Sequence, residues 1–177
     1  MTPDELKALI RTIPDFPAPG VQFRDITTLL GHGEGFAATV AWLADRIAPD
    51  VGAIAGMEAR GFIFGAAVAA RLELPFVPIR KPGKLPCKTI GVDYHLEYGT
   101  DRLEMDANAV RSGMKVAIVD DLLATGGTAG AATTLLRKAR ATVDSAVFVI
   151  DLPDLGGRSK LEAAGMTVEA LMDFPGT

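Results

Sequence analysis

Residues 116–128 read Val-Ala-Ile-Val-Asp-Asp-Leu-Leu-Ala-Thr-Gly-Gly-Thr. The run from Val116 to Val119 is apolar at every position, which is typical of a strand covered on both faces of a parallel sheet. The Gly126-Gly127 pair permits a tight turn, and a helix is predicted to follow over residues 129–140. A buried strand that leads through a glycine turn into a helix indicates an α/β protein.

The chain on either side alternates in the same way. Further strands are predicted at residues 51–55, 75–79, 145–151 and 167–171, beside the strand at 115–121. Helices are expected between them at residues 61–72, 129–140 and 157–164. This alternation predicts a mainly parallel five-stranded sheet flanked by helices, in which ligands bind beyond the carboxyl ends of the strands.

The N-terminal part has a different pattern. Thr2 as a cap and Pro3 in the first turn predict a helix whose apolar face continues to Ile13 and which Pro14 ends. Residues 15–28 are rich in proline and predict an ordered loop, and a second helix is expected over residues 35–48.

Length and composition limit the function classes. The 177 residues suit a single domain, 1–177, and the net charge of −4 disfavours a nucleic-acid-binding face. The longest apolar run, at residues 61–70, is too short to span a membrane, so no membrane partner is expected. The acidic start is unlike a signal peptide, and the single cysteine, Cys87, cannot form an internal disulfide, so we expect a cytoplasmic protein.

The segment at residues 120–128 is suited to a sugar phosphate. The carboxylates of Asp120 and Asp121 can accept hydrogen bonds from the two cis hydroxyls of a ribose, or can hold a hydrated Mg²⁺. The turn at residues 124–127 and the start of the following helix present free N–H groups to a phosphate, and Thr125 and Thr128 add hydroxyl donors. The alternative is a plain strand end followed by a glycine-rich helix start.

The same segment resembles the phosphoribosyl-pyrophosphate loop of type I phosphoribosyltransferases, in the form found in the adenine-specific members. Three further segments match that family, at residues 16–26, 58–65 and 79–86 with 94–99. The resemblance extends from about residue 4 to residue 161. It implies an enzyme of purine salvage that transfers the 5-phosphoribosyl group from phosphoribosyl pyrophosphate to adenine, giving AMP and pyrophosphate.

The resemblance also implies roles for individual residues. Arg60, Arg80 and Lys84 would neutralise the pyrophosphate, although a basic run such as that at residues 80–88 is more commonly a solvated surface. Glu97 would assist proton transfer at the base, with Tyr98 beside it. The alternative is that residues 94–98 form one strand of a surface hairpin with residues 102–105, in which Glu97 is solvated.

The base would contact the N-terminal segment. Phe23 supplies an apolar surface for a purine, and the main chain of Arg24 can read the 6-amino group and N1 of adenine. We therefore expect residues 1–34 to form a small hood over a core of residues 35–177. Gln22 stands where the family often has Val, a change that affects only a main-chain contact.

Mg²⁺ is the expected cofactor, held mainly through substrate and water, and the family implies a homodimer. Residues 81–98 contain few large apolar side chains, so we also expect this segment to act as a mobile lid. Two alternatives remain, a transferase for xanthine or orotate and a nucleic-acid-binding regulator built on the same fold. The Phe23-Arg24-Asp25 segment argues against the first, and the acidic charge argues against the second.

Overall fold

The structure is a computed structural model that describes residues 1–96 and 99–176. Its strands are β1 (Arg11–Pro14), β2 (Gln22–Asp25), β3 (Ala53–Met57), β4 (Phe76–Ile79), β5 (Thr89–Leu96), β6 (Gly99–Asp106), β7 (Lys115–Leu123), β8 (Thr142–Asp151) and β9 (Thr167–Asp173). Its helices are α1 (Pro3–Ala8), α2 (Thr27–Leu30), α3 (Gly33–Ala44), α4 (Arg60–Arg71), α5 (Gly127–Lys138) and α6 (Gly157–Ala163), with a 3₁₀ turn at Pro153–Leu155.

The predicted five-stranded sheet is confirmed. Its strand order is β4-β3-β7-β8-β9, and every neighbouring pair is parallel. The central strand β7 is buried along most of its length because helices cover both faces. Since β3 and β7 are adjacent and parallel, the loops that follow them lie side by side at one edge of the sheet.

Alternate residues of β7 face two separate apolar clusters. Val116 and Ile118 pack with α5 and the β5–β6 hairpin on one face. Ala117 and Val119 pack with α1, α3 and α4 on the other. This period of two is the strand geometry that the uninterrupted apolar run predicted. No helix in the described part of the chain is long and apolar enough to cross a membrane.

The N-terminal helix is shorter than its sequence pattern predicts. Thr2 forms the expected capping box with Glu5, but α1 ends at Ala8 and residues 11–14 form strand β1. The strand pairs antiparallel with β2, so the expected loop at residues 15–28 contains a strand and the short helix α2. The apolar spacing that suggested a longer helix persists only to Ile10, beyond which strand pairing and an Arg11–Asp25 ion pair replace helical contacts.

The remaining boundaries differ from the predicted ones by a few residues. Helix α3 begins at Gly33 because the Nδ1 atom of His32 caps it, accepting a hydrogen bond from the Gly35 amide at 3.0 Å. The helix ends at Ala44 instead of residue 48, and β3 lies two residues later than predicted. These shifts leave the order of elements in the core unchanged.

A hairpin, which the sequence predicts only as the alternative for residues 94–98 and 102–105, is present and longer, since β5 and β6 pair from Thr89–Asp106 to Leu96–Gly99. Ile90, Val92 and Tyr94 pack against the apolar cluster beneath α5, and Lys138 Nζ donates to the Gly91 carbonyl at 2.9 Å. The expectation of few apolar anchors over residues 81–98 is therefore wrong for residues 89–94. Glu97 and Tyr98 lie outside the described residues.

Candidate active site

Two loops at the carboxyl edge of the sheet enclose a cavity of about 280 Å³. One loop joins β3 to α4 and contributes residues 58–61, and the other joins β7 to α5 and contributes residues 120–129. The structure thus places the phosphate and ribose segment of the sequence analysis opposite Arg60. These are the residues that the alternation of strands and helices predicted to meet at this edge.

The paired carboxylates form one wall of this cavity. Asp120 and Asp121 are 9% and 5% exposed, and Asp120 Oδ1 accepts a hydrogen bond from the Asp121 amide at 2.9 Å. Burial raises the pKa of both carboxyls, and the Asp121 charge adds to the rise at Asp120. Arg60 Nε lies 2.8 Å from Asp121 Oδ2 and opposes the rise at Asp121.

Gly61 makes the close approach of Asp120 possible. A methyl group on its Cα would lie 3.0 Å from Asp120 Cγ and would overlap the carboxylate oxygen. The sequence pattern Arg60-Gly61 therefore serves two purposes, since one residue supplies the cation and the next leaves room for the acid. Asp121 Oδ2 is itself buried, and the Arg60 guanidinium is the charged group that faces it within the described residues.

The loop after β7 has the geometry of an anion cradle. Gly126 has φ +73°, a conformation that favours glycine, and α5 starts at the next residue. The first N–H groups of α5 have no partner within the helix, and the positive end of its dipole points toward the same cavity. Thr125 and Thr128 line the cavity beside these groups.

The loop after β3 forms an ion pair with Arg80, the second of the cations predicted to neutralise pyrophosphate. The Glu58–Ala59 peptide bond in this loop is cis. Glu58 Oε2 accepts from Arg80 Nε at 2.6 Å, and Arg80 Nη1 donates to the Lys84 carbonyl at 3.0 Å. Glu58 itself lines the cavity, so the ion pair places Arg80 at its border.

The other basic residues of this region divide into two groups. Lys84 is exposed in the loop between β4 and β5, as is the free thiol of Cys87. Lys81 is engaged with Asp101 and Tyr94 of the hairpin, which raises its pKa although burial acts in the opposite direction. Of the predicted pyrophosphate cations, Arg60 and Arg80 lie beside the cavity and Lys84 lies on the loop next to it.

A second, mostly apolar cavity of about 290 Å³ adjoins the first. It is lined by residues 21–24, Arg60, Leu122, Ala124, Leu152 and Leu155. Arg60, Leu122 and Ala124 line both cavities. The ring of Phe23 meets Phe16 edge-on at 5.1 Å, and the Arg60 guanidinium lies 5.4 Å from its centre. An apolar slot of this kind suits an aromatic base.

Sequence reasoning missed several residues of the two cavities. Glu58 has no role in the sequence-based predictions, although an acid directly after a buried strand indicates a side chain at the carboxyl edge. Leu152 and Leu155 belong to the loop after β8. Strand β8 was predicted, but the loop that follows it carries no polar motif that would indicate a site. Glu97 and Tyr98 lie outside the described residues, so their predicted roles stay predictions.

Comparisons with known proteins agree with this geometry. A profile of the family described as phosphoribosyl transferase domain matches residues 32–166. The adenine phosphoribosyltransferase of Novosphingobium aromaticivorans is 66% identical over 177 residues, covering 99% of both chains. The corresponding protein of Erythrobacter litoralis is 68% identical over 178 residues with the same coverage.

Solved structures of adenine phosphoribosyltransferases are also similar to this chain. The crystal structure of adenine phosphoribosyltransferase from Thermoanaerobacter pseudethanolicus has a TM-score of 0.93 and 47% identity, covering 98% of this chain and 100% of that one. The enzyme from Saccharomyces cerevisiae, crystallised with an imino-altritol bisphosphate and adenine, has a TM-score of 0.87 and 36% identity, covering 96% of this chain and 98% of that chain. The chain belongs to the adenine phosphoribosyltransferase family and is an enzyme of that class.

Proposed function

We propose that this enzyme joins adenine to phosphoribosyl pyrophosphate where its two cavities meet, giving AMP and pyrophosphate. The observation that carries the proposal is the shared wall of Arg60, Leu122 and Ala124 between a polar cavity and an apolar one. A sugar phosphate in the first cavity and a purine in the second would bring their reacting atoms together at this wall. The yeast relative crystallised with adenine and a bisphosphate supports the same pairing of ligands.

The loop at residues 124–128 holds the 5′-phosphate of the substrate in this proposal. Its N–H groups and the start of α5 supply donors and a positive dipole, while Thr125 and Thr128 add hydroxyls. Ala124, Gly126 and Gly127 carry no bulky side chain, so the phosphate can approach the backbone. A fixed phosphate then fixes the position of the ribose.

Asp120 and Asp121 hold the ribose by accepting hydrogen bonds from its two hydroxyls. Their burial makes these hydrogen bonds strong, because water competes poorly for a shielded carboxylate. Arg60 offsets part of the buried negative charge and so opposes the rise in the pKa of both carboxyls.

Arg60, Arg80 and Lys84 stabilise the departing pyrophosphate. Displacement at the ribose C1′ proceeds through an oxocarbenium-like state and needs no covalent nucleophile, so charge neutralisation and positioning supply most of the catalysis. In the structure, Arg80 is paired with Glu58 at 2.6 Å. A pyrophosphate would compete with Glu58 for the Arg80 guanidinium, which is already turned toward the border of the cavity.

Mg²⁺ fits this site as a companion of the substrate. Within residues 1–96 and 99–176 no three His, Cys, Asp or Glu side chains form a group that could hold a metal ion. Asp120 and Asp121 are oxygen donors of the type that Mg²⁺ accepts directly or through water. When bound, the ion would neutralise phosphate charge, while the protein residues orient the ribose.

Adenine occupies the apolar cavity against Phe23, and the main chain of Arg24 reads its 6-amino group and N1. Glu97 assists proton transfer at the base, with Tyr98 packed beside it. Adenine presents a hydrogen-bond donor at its 6-amino group and an acceptor at N1, whereas hypoxanthine presents an acceptor at O6 and a donor at N1. A hydrogen-bonding site of this kind rejects the wrong partner by about 10⁴-fold.

A panel of bases tests the proposal. Purified enzyme with Mg²⁺ and phosphoribosyl pyrophosphate is given adenine, hypoxanthine, guanine, xanthine or orotate, and pyrophosphate release is measured. We expect turnover with adenine only, and an Asp120→Asn variant serves as the matched control for phosphoribosyl-pyrophosphate dependence. Comparable kcat/KM for adenine and hypoxanthine would contradict the assignment of Arg24, and turnover of orotate alone would contradict the function.

Three further features complete the proposal. Residues 1–34 act as the hood over the base, with residues 35–177 as the core. The enzyme is a homodimer, for which the exposed apolar side chains of Phe16, Val21 and Ile63 offer contact surface, and light scattering after size-exclusion chromatography measures its mass. It is cytoplasmic, which the free thiol of Cys87 favours, and cell fractionation tests that location.

A further inference from the structure

The last described residues of the chain contact two walls of the base cavity without lining the cavity themselves. One wall is β2, which carries Phe23 and Arg24, and the other is the 3₁₀ turn at Pro153–Leu155 with Leu152 before it. The segment Phe174–Gly176 follows β9 and contacts both walls. These contacts join parts of the chain that are far apart in sequence.

The contact with β2 is made by the side chain of Arg24. Its Nη2 donates to the Pro175 carbonyl at 2.9 Å, its Nη1 donates to Thr12 Oγ1 at 2.6 Å, and its guanidinium lies 4.6 Å from the centre of the Phe174 ring. Arg24 is 9% exposed, and burial lowers its pKa. The arrangement therefore buries a cation whose partners are a carbonyl, a hydroxyl and an aromatic ring.

The contact with the second wall is made by the backbone of the segment. The Gly176 amide donates to Asp154 Oδ2 at 2.7 Å, and the Phe174 amide donates to the Asp151 carbonyl at 3.0 Å. Asp154 lies in the 3₁₀ turn whose neighbour Leu155 lines the base cavity. One tripeptide is thus hydrogen-bonded to both sides of the slot.

The β2 wall needs such an anchor. Strands β1 and β2 form a two-stranded sheet of their own, which is marginally stable without further packing. Any tilt of β2 would move the Arg24 main chain relative to the base, and recognition by backbone hydrogen bonds tolerates little displacement. A side chain that ties β2 to the end of β9 restrains that tilt.

We infer that Phe174–Gly176 is a clamp that sets the width of the base cavity and thereby the affinity for adenine. Arg24 acts twice in it, through its main chain on the base and through its side chain as a positioning residue. Asp154 positions the opposite wall. This inference rests on the proposed function, because it takes the apolar cavity as the adenine site.

Steady-state kinetics with each substrate varied separately tests the clamp. Arg24→Met keeps the apolar stem and removes the guanidinium, so we expect the KM for adenine to rise about tenfold, as the loss of hydrogen bonds from a charged donor implies. The KM for phosphoribosyl pyrophosphate should change less than about twofold, since a single lost anchor on the base side leaves the other cavity intact. Asp154→Ala should raise the adenine KM by a smaller factor, and Asp154→Asn, which keeps an acceptor, should restore it.

Lys7→Met is the matched control. Lys7 Nζ also lies over the Phe174 ring, at 4.8 Å, but no described contact links it to β2 or to the 3₁₀ turn. Its replacement should leave the adenine KM unchanged. An equal rise of the adenine KM in Lys7→Met would contradict the clamp. A parallel rise of the KM for adenine and the KM for phosphoribosyl pyrophosphate in the Arg24 and Asp154 variants would also contradict it, because it would indicate a general loss of packing.

Phe23→Ala separates failure of the clamp from failure of the base site. If Phe23→Ala raises the adenine KM while Arg24→Met and Asp154→Ala do not, the assignment of the apolar cavity as the adenine site is supported and the clamp is contradicted. If Phe23→Ala leaves the adenine KM unchanged, the apolar cavity is not the adenine site, and the clamp is then also contradicted. Should Arg24→Met fail to fold, the exposed Asp154 still gives the decisive comparison between Ala and Asn.

Discussion

Gly157, at the start of α6, packs its Cα directly against the backbone of Ala124 in the phosphate loop. A methyl group added at Gly157 would overlap the Ala124 carbonyl oxygen and would lie 2.8 Å from the Gly126 amide nitrogen. Gly126 in turn leaves no room for a side chain, since a Cβ added to it would lie 3.0 Å from the Gly157 carbonyl oxygen. The phosphate loop is therefore supported from behind by a second glycine turn.

Gly157→Ala should displace the phosphate loop, because two of the three atoms nearest to the methyl group belong to the backbone of that loop. We expect kcat/KM for phosphoribosyl pyrophosphate to fall about 10–100-fold, as a displacement near 1 Å implies. Gly130→Ala on α5 is the matched control, since its Cβ would meet nothing within 4 Å. A fall of the same size in Gly130→Ala would contradict the steric explanation.

Asp120→Asn should make the folded protein more stable and the enzyme less active. Burial raises the folded-state pKa of Asp120, so its ionised form disfavours folding at neutral pH, and the amide removes that penalty. A gain of about 1 kcal/mol would raise the melting temperature by about 2–4 °C. Calorimetry should find the gain at neutral pH and a smaller one in acid, where the wild-type carboxyl is protonated.

The same variant should lower kcat/KM for phosphoribosyl pyrophosphate, since one ribose hydroxyl loses its carboxylate acceptor. Asp121→Asn should act in the same direction. Unaltered kcat/KM for phosphoribosyl pyrophosphate in both variants would contradict the ribose assignment, whatever happens to the melting temperature.

Asp25 contributes to stability with the opposite pH dependence. Hydrogen bonds from the side chain and amide of Thr27, together with Arg11, lower its pKa to about 2. Its contribution is therefore complete above the unfolded-state pKa near 4 and is lost as the pH falls toward 2. Urea unfolding of wild type and Asp25→Asn should differ at pH 7, and the difference should shrink steadily as the pH falls from about 4 toward 2. A constant difference would contradict this role.

Glu97→Gln tests the predicted proton transfer at the base. We expect kcat to fall by more than either KM rises, as for an interaction that is strongest in the transition state. Asp93→Asn is a suitable control, because Asp93 is an exposed residue of the same hairpin that pairs with Arg102. An unchanged kcat in Glu97→Gln would favour the alternative of a solvated hairpin residue.

The sequence predicted the core sheet and the phosphate loop because their signals are local. The apolar run of β7, its two acids and its glycine turn are contiguous, so one segment defines a wall of the site. Strand β1 escaped prediction because Leu6 and Ile10 extend a helical spacing, while its pairing with β2 depends on residues eight or more positions away. Arg24 and Pro175 are separated by 151 positions, and no local pattern relates them.

Cys87 is the only cysteine in the sequence, and its thiol is exposed on the loop that carries Lys84. A maleimide dye would therefore attach at one position, three residues from a proposed pyrophosphate contact, without prior removal of other thiols. Partial loss of hydration and the nearby Asp106 carboxylate raise the pKa of this thiol, so coupling proceeds faster at mildly alkaline pH. The natural protein thus carries a ready attachment point for a fluorescent reporter of substrate arrival.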